Sequence, residues 1–247
     1  DNNYWSMKKV FPFLFVILSF SLIAQEDTYQ SLIVKRIADY TTAIRLDPND
    51  AVAYAKRGNA YGNLGKYNTA ISDYTTAIRL DPNDASAYFN RGLLYDDVKY
   101  ELRDRKSAIA DYTTAIRLSP DWFTLYYKRG IAYAYLGEYI SAISDFTAAI
   151  ILNPEKVGSE VTEHDIFVNF INADTFRARG NAYIVLGEYN AAIADFTTAI
   201  RLGTVKQRKW SYHHRGRAKE KAGLPYCSDY KRACEYGKCD LYNRKCR

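Results

Sequence analysis

The residues of this chain most able to do chemistry are four cysteines near its C-terminus: Cys227, Cys234, Cys239 and Cys246. Clustered thiols either hold a metal ion or form disulfides. Zinc motifs favour two to four residues between paired cysteines, whereas the intervals here are six, four and six residues. An even, clustered count favours two disulfides in an oxidising compartment, with a zinc site and free thiols as the alternatives.

The order of the cysteines separates the possible pairings. Cys227 and Cys234 lie about 10 Å apart along one face of a helix, whereas bridged Cα atoms are about 5.5 Å apart. The segment is symmetric about residues 236–237, as expected for two short antiparallel helices that turn there. We therefore predict nested disulfides rather than crossed ones. The predicted pairs are Cys234–Cys239 and Cys227–Cys246.

Arginine and aspartate recur at fixed positions along the chain. The arginine precedes a glycine at Arg57, Arg91, Arg129, Arg179 and Arg215. The aspartate precedes an aromatic residue at Asp39, Asp73, Asp111, Asp145, Asp195 and Asp229. A row of guanidinium groups could bind an anionic ligand, but each arginine could instead pair with an aspartate of the same or the neighbouring segment. Because the two residue types recur together, we predict internal pairing.

The remaining polar residues form no catalytic set. The chain has three histidines, His164, His213 and His214. The last two are adjacent, so on a helix they point about 100° apart and make a poor metal pair. The sequence contains neither a glycine-rich phosphate loop nor a Ser-His-Asp set. We therefore expect no enzymatic activity, no cofactor and no metal site.

The recurring arginine and aspartate belong to a 34-residue repeat, most regular in residues 51–84. Its markers are Tyr54, Gly58, Tyr61, Gly65, Tyr67, Ala70, Tyr74, Ala77 and Pro82. The first three markers are spaced as one face of a helix, and those from Ala70 to Ala77 as one face of a second helix. Gly65 predicts a turn with positive φ between the helices, and Pro82 ends the second helix.

This pattern resembles the tetratricopeptide repeat. The resemblance implies an all-α fold, a right-handed α-solenoid of antiparallel helix pairs, ended here by a disulfide-stapled helical hairpin. The predicted units are 26–50 (a half repeat), 51–84, 85–122 (with four extra residues), 123–156, 173–206 and 207–247 (a degenerate repeat and cysteine-rich cap). Residues 157–172 are an insertion whose apolar residues predict an extension of the next helix. The C-terminus also resembles the cysteine-bearing ends of exported Bacteroidetes repeat proteins.

Residues 1–25 have the features of a pre-sequence and secretory signal peptide that starts at Met7. Two lysines precede an apolar run, residues 10–23, which is too short for a standard membrane span. We expect cleavage near residues 21–25 and export to the periplasm, the outer envelope or the exterior of a bacterium. If the signal is retained, the alternative is a membrane-tethered envelope assembly factor, and only then is the membrane a partner.

The net charge of +6 is unevenly distributed. Residues 26–205 contain 19 Lys/Arg and 23 Asp/Glu, whereas residues 206–247 contain 13 and 4. The basic C-terminal segment could contact an anionic surface, so a polyanion-binding protein is the second alternative. An exported protein rarely meets nucleic acid, and we do not expect nucleic acid as a partner.

The resemblance also implies where a ligand binds, because six positions of each first helix face the inner surface of such proteins. Here those positions include Lys56, Asn59, Asn63, Phe89, Asn90, Tyr127, Lys128, Tyr135, Arg177 and Asn181. Amides, cations and tyrosines suit an extended peptide. Three of these residues (Asn59, Asn90, Lys128) match slots of the family's five-residue carboxylate clamp, whereas Ala55 and Thr124 occupy the other two. We therefore expect a scaffold that binds a peptide or a partner protein.

Overall fold

A computed structural model describes residues 29–96, 104–153 and 163–246, and for residues 163–170 only the backbone. These residues form twelve helices and contain no strand. The helices are α1 (29–46), α2 (Ala51–Asn63), α3 (Tyr67–Leu80), α4 (Ala85–Asp96), α5 (Arg105–Leu118), α6 (Phe123–Tyr135), α7 (Tyr139–Leu152), α8 (Glu163–Leu186), α9 (Tyr189–Leu202), α10 (Val205–Lys221), α11 (Cys227–Glu235) and α12 (Asp240–Lys245). They pack in adjacent pairs, as in tetratricopeptide solenoids.

The chain divides into two compact units, Asp1–Leu94 and Tyr95–Arg247. The predicted signal segment lies outside the described residues. So does most of the segment 98–106 that contains the predicted four-residue insertion, and so do residues 157–162 of the second insertion. In the ranges that are described, no helix has both the length and the apolar character needed to cross a membrane.

Tight turns join the helices of the pairs α2–α3 and α6–α7. Gly65, between α2 and α3, has a φ of +73°, which confirms the predicted left-handed conformation. The turn closes with a hydrogen bond from the Lys66 N–H to the Tyr61 carbonyl oxygen at 2.9 Å. The same bond recurs between α6 and α7, where the Glu138 N–H donates to the Tyr133 carbonyl at 2.9 Å.

In four of the described pairs, α2–α3, α6–α7, α8–α9 and α10–α11, a glycine of the first helix lies against an aromatic ring of the second. A Cβ at Gly130 would lie 2.9 Å from the Phe146 ring, and one at Gly216 would lie 2.6 Å from the Tyr230 ring. No larger residue fits without displacing these rings, which are buried. The second contact shows that α11 is the second helix of the last repeat, and that α12 is an additional helix beyond it.

The recurring arginine joins each helix pair to the preceding one. In the second unit, Arg129 donates from Nε and Nη2 to the two carboxylate oxygens of Asp145, at 2.8 Å each, and from Nη1 to Thr113 Oγ1 at 3.0 Å. The same arrangement is found for Arg57 (Asp73, Thr41), Arg179 (Asp195, Thr147) and Arg215 (Asp229, Thr197). The predicted internal pairing is confirmed at these four sites, and the threonine contact was not predicted.

The arginine head group is enclosed on several sides. The guanidinium carbon of Arg129 lies 5.9 Å from the ring centroids of both Tyr126 and Tyr133, one turn away on either side. Asp145 is 5% exposed. The hydrogen bonds that Arg129 donates to Asp145 raise the pKa of the Arg129 guanidinium above its usual value, so the guanidinium stays charged at any physiological pH.

The inserted segment extends the first helix of the following repeat. α8 has 24 residues, because residues 163–172 continue directly into it, which confirms the predicted helical extension. Asn172 Nδ2 donates to the backbone carbonyl oxygen of Asn153 at 2.8 Å, and Asn153 Nδ2 donates to Asn172 Oδ1 at 3.2 Å. Both side chains are buried, so this pair holds the end of α7 against α8.

Two disulfides hold α12 against α11, and their pairing is the predicted one. The Cα atoms of Cys227 and Cys246 are 5.6 Å apart, and those of Cys234 and Cys239 are 4.1 Å apart. The first bond closes a 19-residue separation and stabilises the folded hairpin by about 3 kcal/mol. A six-residue helix such as α12 would not be stable alone, so the bonds and the burial of Leu241 keep it in place.

The two adjacent histidines lie inside the C-terminal repeat. His214 stacks on Phe196 of α9, with ring centroids 5.7 Å apart, and His213 lies 6.1 Å from Tyr230 of α11. Burial, together with the smaller effects of the neighbouring His213, Arg177, Arg217 and Lys238, lowers the pKa of His214 to about 3. Burial also lowers the pKa of His213. Both rings are therefore neutral at pH 7.

We predict that Asp145→Asn lowers the free energy of unfolding by about 2 kcal/mol, because it weakens charge-assisted bonds in a buried site. Urea unfolding followed by circular dichroism measures this change. Glu138→Gln, at an exposed position beside the same helix, is the control and should change stability by less than about 0.5 kcal/mol. Equal effects of the two substitutions would show that the arginine link does not stabilise the fold.

We predict that His214 makes the protein less stable as the pH falls from about 6.5 to about 3. The folded-state pKa of about 3 lies below the unfolded value of about 6.5, so only the unfolded state gains the proton in this window. The loss approaches about 1.4 kcal/mol per pH unit. In urea unfolding at a series of pH values, His214→Phe should flatten the slope between pH 6.5 and 4. An unchanged slope would contradict the assignment.

Candidate functional site

The first helices of three successive repeats in the second unit, α6, α8 and α10, carry the candidate site. A pocket of about 500 Å³ opens between α8 and α10. It is lined by Asp174, Arg177, Thr204, Lys206, Gln207, Trp210 and His214. The lining combines an indole ring, two cations, a carboxylate and side chains that donate or accept hydrogen bonds, which is the mixture that binds peptides.

Trp210 is the largest apolar group of this pocket, and 38% of its surface is exposed. Its ring is held between other side chains, with the ring of His214 stacked at 6.3 Å and the ammonium group of Lys238 at 4.8 Å from the centroid. Lys209 approaches to 5.6 Å. The indole is therefore fixed in orientation yet accessible, and the cations around it make the local potential positive.

The opposite wall of the pocket is an ion pair on α8. The Arg177 guanidinium donates to Asp174 Oδ1 at 2.8 Å, and both residues are half-buried. Tyr127 of α6 lies close to this pair. Burial raises the pKa of Tyr127 to about 12, and the negative charge of Asp174 adds to the shift. The Tyr127 hydroxyl thus stays protonated and can donate a hydrogen bond.

The structure brings only part of the predicted groove together. Tyr127 and Arg177 meet near the pocket, as α6 and α8 are neighbours. Lys128 and Asn181, on the same two helices, are half-buried. Tyr135 is 64% exposed, and the guanidinium carbon of Arg105 lies 4.3 Å from its ring centroid. One face of the Tyr135 ring therefore contacts the first residue of α5.

The other predicted groove residues lie in the first unit. Lys56 and Asn63 on α2 are exposed, and Phe89 and Asn90 on α4 are half-buried. Asn59 is also exposed, but its Oδ1 accepts a hydrogen bond from the Tyr74 hydroxyl at 2.5 Å. Asn59 therefore links α2 to α3, and the clamp-like role of Asn59, Asn90 and Lys128 stays a prediction.

Sequence reasoning missed the groove residues of α10. In the last repeat, the same inner-surface positions hold Trp210, His213, His214, Arg217, Glu220 and Lys221. The signal was present, because Tyr212 and Gly216 mark the register of this helix. The signal is weak, because the repeat pattern stops after Gly223 and the second half of this repeat departs from the pattern.

A second cleft lies between α10 and α12, with a volume of about 660 Å³. It is lined by Ile184, His213, Arg217, Glu220, Lys221, Asp240, Leu241, Arg244 and Lys245. Four of these side chains are cations and two are carboxylates. Neither here nor in the rest of the described ranges are three His, Cys, Asp or Glu side chains grouped as metal ligands.

Sequence profiles of one family match several parts of the chain. Profiles described as tetratricopeptide repeat match residues 39–72, 85–121, 123–156 and 178–202, and a profile described as TPR repeat matches residues 63–98. None of them describes a catalytic family. No curated protein sequence matches the chain significantly.

Solved structures share the fold. A structure described as MamA is 25% identical, with a TM-score of 0.57, over 67% of this chain and 85% of that one. YrrB, described as a TPR protein with an unusual peptide-binding site, is 18% identical with a TM-score of 0.68. The match covers 83% of this chain and 97% of YrrB. The C-terminal part of a TPR repeat-containing protein from Cytophaga hutchinsonii is 18% identical with a TM-score of 0.62. This match covers 83% of this chain and 74% of that one. The repeats, their helix pairing and these matches together show that the chain belongs to the tetratricopeptide-repeat proteins.

Proposed function

We propose that this protein is a non-enzymatic scaffold that binds a peptide segment of a partner protein on the first helices of its second unit. The observation that carries the proposal is the pocket around Trp210, in which an accessible indole is fixed beside Arg177 and Lys206. A peptide-binding site is named in the description of YrrB, which shares the fold at 18% identity.

The geometry of the pocket supports a peptide better than a small metabolite. The pocket is an open groove between two helices, so an extended chain can pass through it. Lys206 lines the groove, is exposed and can donate hydrogen bonds to the carbonyl oxygens of a peptide, and Trp210 offers an apolar surface to one side chain. Partly exposed tryptophans held by neighbours are frequent centres of binding energy, because burying them excludes much water.

We predict that Trp210→Ala weakens peptide binding about 30-fold, as expected when a central tryptophan is truncated. Peptides are first selected by display on the immobilised full chain, and their affinities are then measured by fluorescence anisotropy. Ile140→Ala is the matched control, because Ile140 is 77% exposed on α7 and lies outside the pocket. The proposal fails if no peptide is selected, or if the selected peptides bind the Trp210→Ala variant as tightly as the unchanged protein.

We also propose that the protein works outside the cytoplasm, in the bacterial envelope or beyond it. Two disulfides in the C-terminal hairpin support this proposal, since such bonds persist mainly in oxidising compartments. The sequence of residues 7–25 supports it independently. With a retained signal, the same scaffold would act at the membrane surface.

We predict that the mature protein isolated from its native cells begins near residues 21–25 and carries both disulfides. Mass spectrometry of the intact protein gives the N-terminus, and digestion without reduction gives the cysteine pairing. A mature chain that still contains Met7 would contradict cleavage and favour the membrane-tethered alternative. If an alkylating agent added at cell lysis labels these cysteines, they were free thiols in the cell, and this would contradict an oxidising location.

A further inference from the structure

We propose that the cleft between α10 and α12 binds acidic side chains of the same peptide whose apolar side chain binds Trp210. This inference rests on the proposed function and specifies the ligand: a short extended segment with an apolar residue followed or preceded by Asp or Glu. It assigns the basic C-terminal segment to ligand recognition at a defined place.

Three cations of the cleft are uncommitted within the described ranges. Arg217 and Lys221 lie one turn apart on α10, and Arg244 faces them from α12. All three are exposed, and none forms an ion pair with another described residue. Two guanidinium groups and one ammonium group around a single cleft create a positive potential that attracts carboxylates, and guanidinium groups can hold them by two bonds each.

The carboxylates of the cleft are already occupied, so they do not neutralise these cations. Glu220 accepts a hydrogen bond from the Tyr230 hydroxyl at 2.8 Å and forms an ion pair with Lys245. Asp240 lies 3.6 Å from the ammonium group of Lys238. Each acidic group thus has a lysine partner of its own. The positive charge left over belongs to Arg217, Lys221 and Arg244.

The cleft and the Trp210 pocket follow the same face of α10. Residues 210, 213, 217 and 221 are spaced by three or four, so their side chains form one stripe on the helix. From Trp210 to Arg217 the axial distance is about 10 Å, and from Trp210 to Lys221 it is about 16 Å. An extended peptide covers these distances with about three and five residues. The geometry therefore sets the spacing between the apolar and the acidic residues of the ligand.

The composition of the cleft favours a peptide over a dense polyanion. Ile184 and Leu241 contribute apolar surface to its walls. A polyphosphate chain would gain nothing from this apolar surface. A peptide can place methylene groups on Ile184 and Leu241 and carboxylates on the cations.

The experiment compares peptide selections on three forms of the full chain. They are the unchanged protein, the double variant Arg217→Glu/Arg244→Glu, and Lys231→Glu/Arg232→Glu. The last is the matched control, because residues 231 and 232 are exposed basic residues of α11 that do not line the cleft, so the net charge changes equally. Circular dichroism melting confirms that all three remain folded.

Peptides selected on the unchanged protein and on the control should contain Asp or Glu three to five residues from an apolar residue. Selection on the Arg217→Glu/Arg244→Glu variant should retain the apolar residue and lose the acidic ones. The affinity of an acidic selected peptide for this variant should fall at least tenfold, and for the control less than twofold at 0.15 M salt, where distant charges are screened.

Three results would overturn the inference. The first is selected peptides that depend on Trp210 but show no acidic preference, which leaves the proposed function intact. The second is an acidic preference that the cleft and control variants reduce equally, which indicates only net charge. The third is displacement of the peptide by micromolar inorganic triphosphate that depends on Arg217 and Arg244, which indicates a phosphate site. Selection of no peptide on any form would instead reject the proposed function itself.

Discussion

One residue per repeat, the arginine before the first-helix glycine, sets the geometry on which the remaining packing depends. Arg129 binds Asp145 of its own repeat through two parallel bonds and Thr113 of the preceding repeat through a third. Two parallel bonds to a carboxylate fix both distance and orientation, so the link determines how the two helices align. In a repeat protein, stability is the sum of terms within repeats and terms between neighbours. This arginine contributes to both terms, and loss of one link would loosen two interfaces.

A buried ion pair is costly to desolvate, and its net contribution depends on how completely its groups are satisfied. Here the carboxylate of Asp145 receives both bonds, and the guanidinium lies between two tyrosine rings. On α10, Arg215 is directed into the repeat, where it is engaged with Asp229, whereas Trp210 and Arg217 of the same helix are exposed. The internal link and the proposed binding surface therefore lie on two sides of one helix.

Much of this structure followed from the sequence because its signals are local or periodic. The disulfide pairing followed from the register of a short hairpin, and the Arg–Asp pairs from their joint recurrence. The contact to Thr113 was not predictable, since a threonine on a helix surface has no pattern of its own. The same applies to Lys238, which lies in the turn between α11 and α12, inside the disulfide-bonded hairpin, and contacts Trp210 of α10. Contacts between elements that are brought together by a cross-link leave no spacing signal in the sequence.

The last described repeat has α12 packed against it and, in our proposal, also binds a ligand. A terminal repeat exposes an apolar face that needs a cover, and α12 supplies Leu241 for that purpose. Such a short helix holds its position only because the disulfides reduce the freedom of the unfolded segment. The excess positive charge of this segment is then divided between two roles. Arg215 and Lys219 share Asp229 inside the repeat, and the uncommitted cations remain in the cleft that α12 completes. The cover is thereby also one wall of the proposed binding site, and in this proposal its cross-links serve both roles at once.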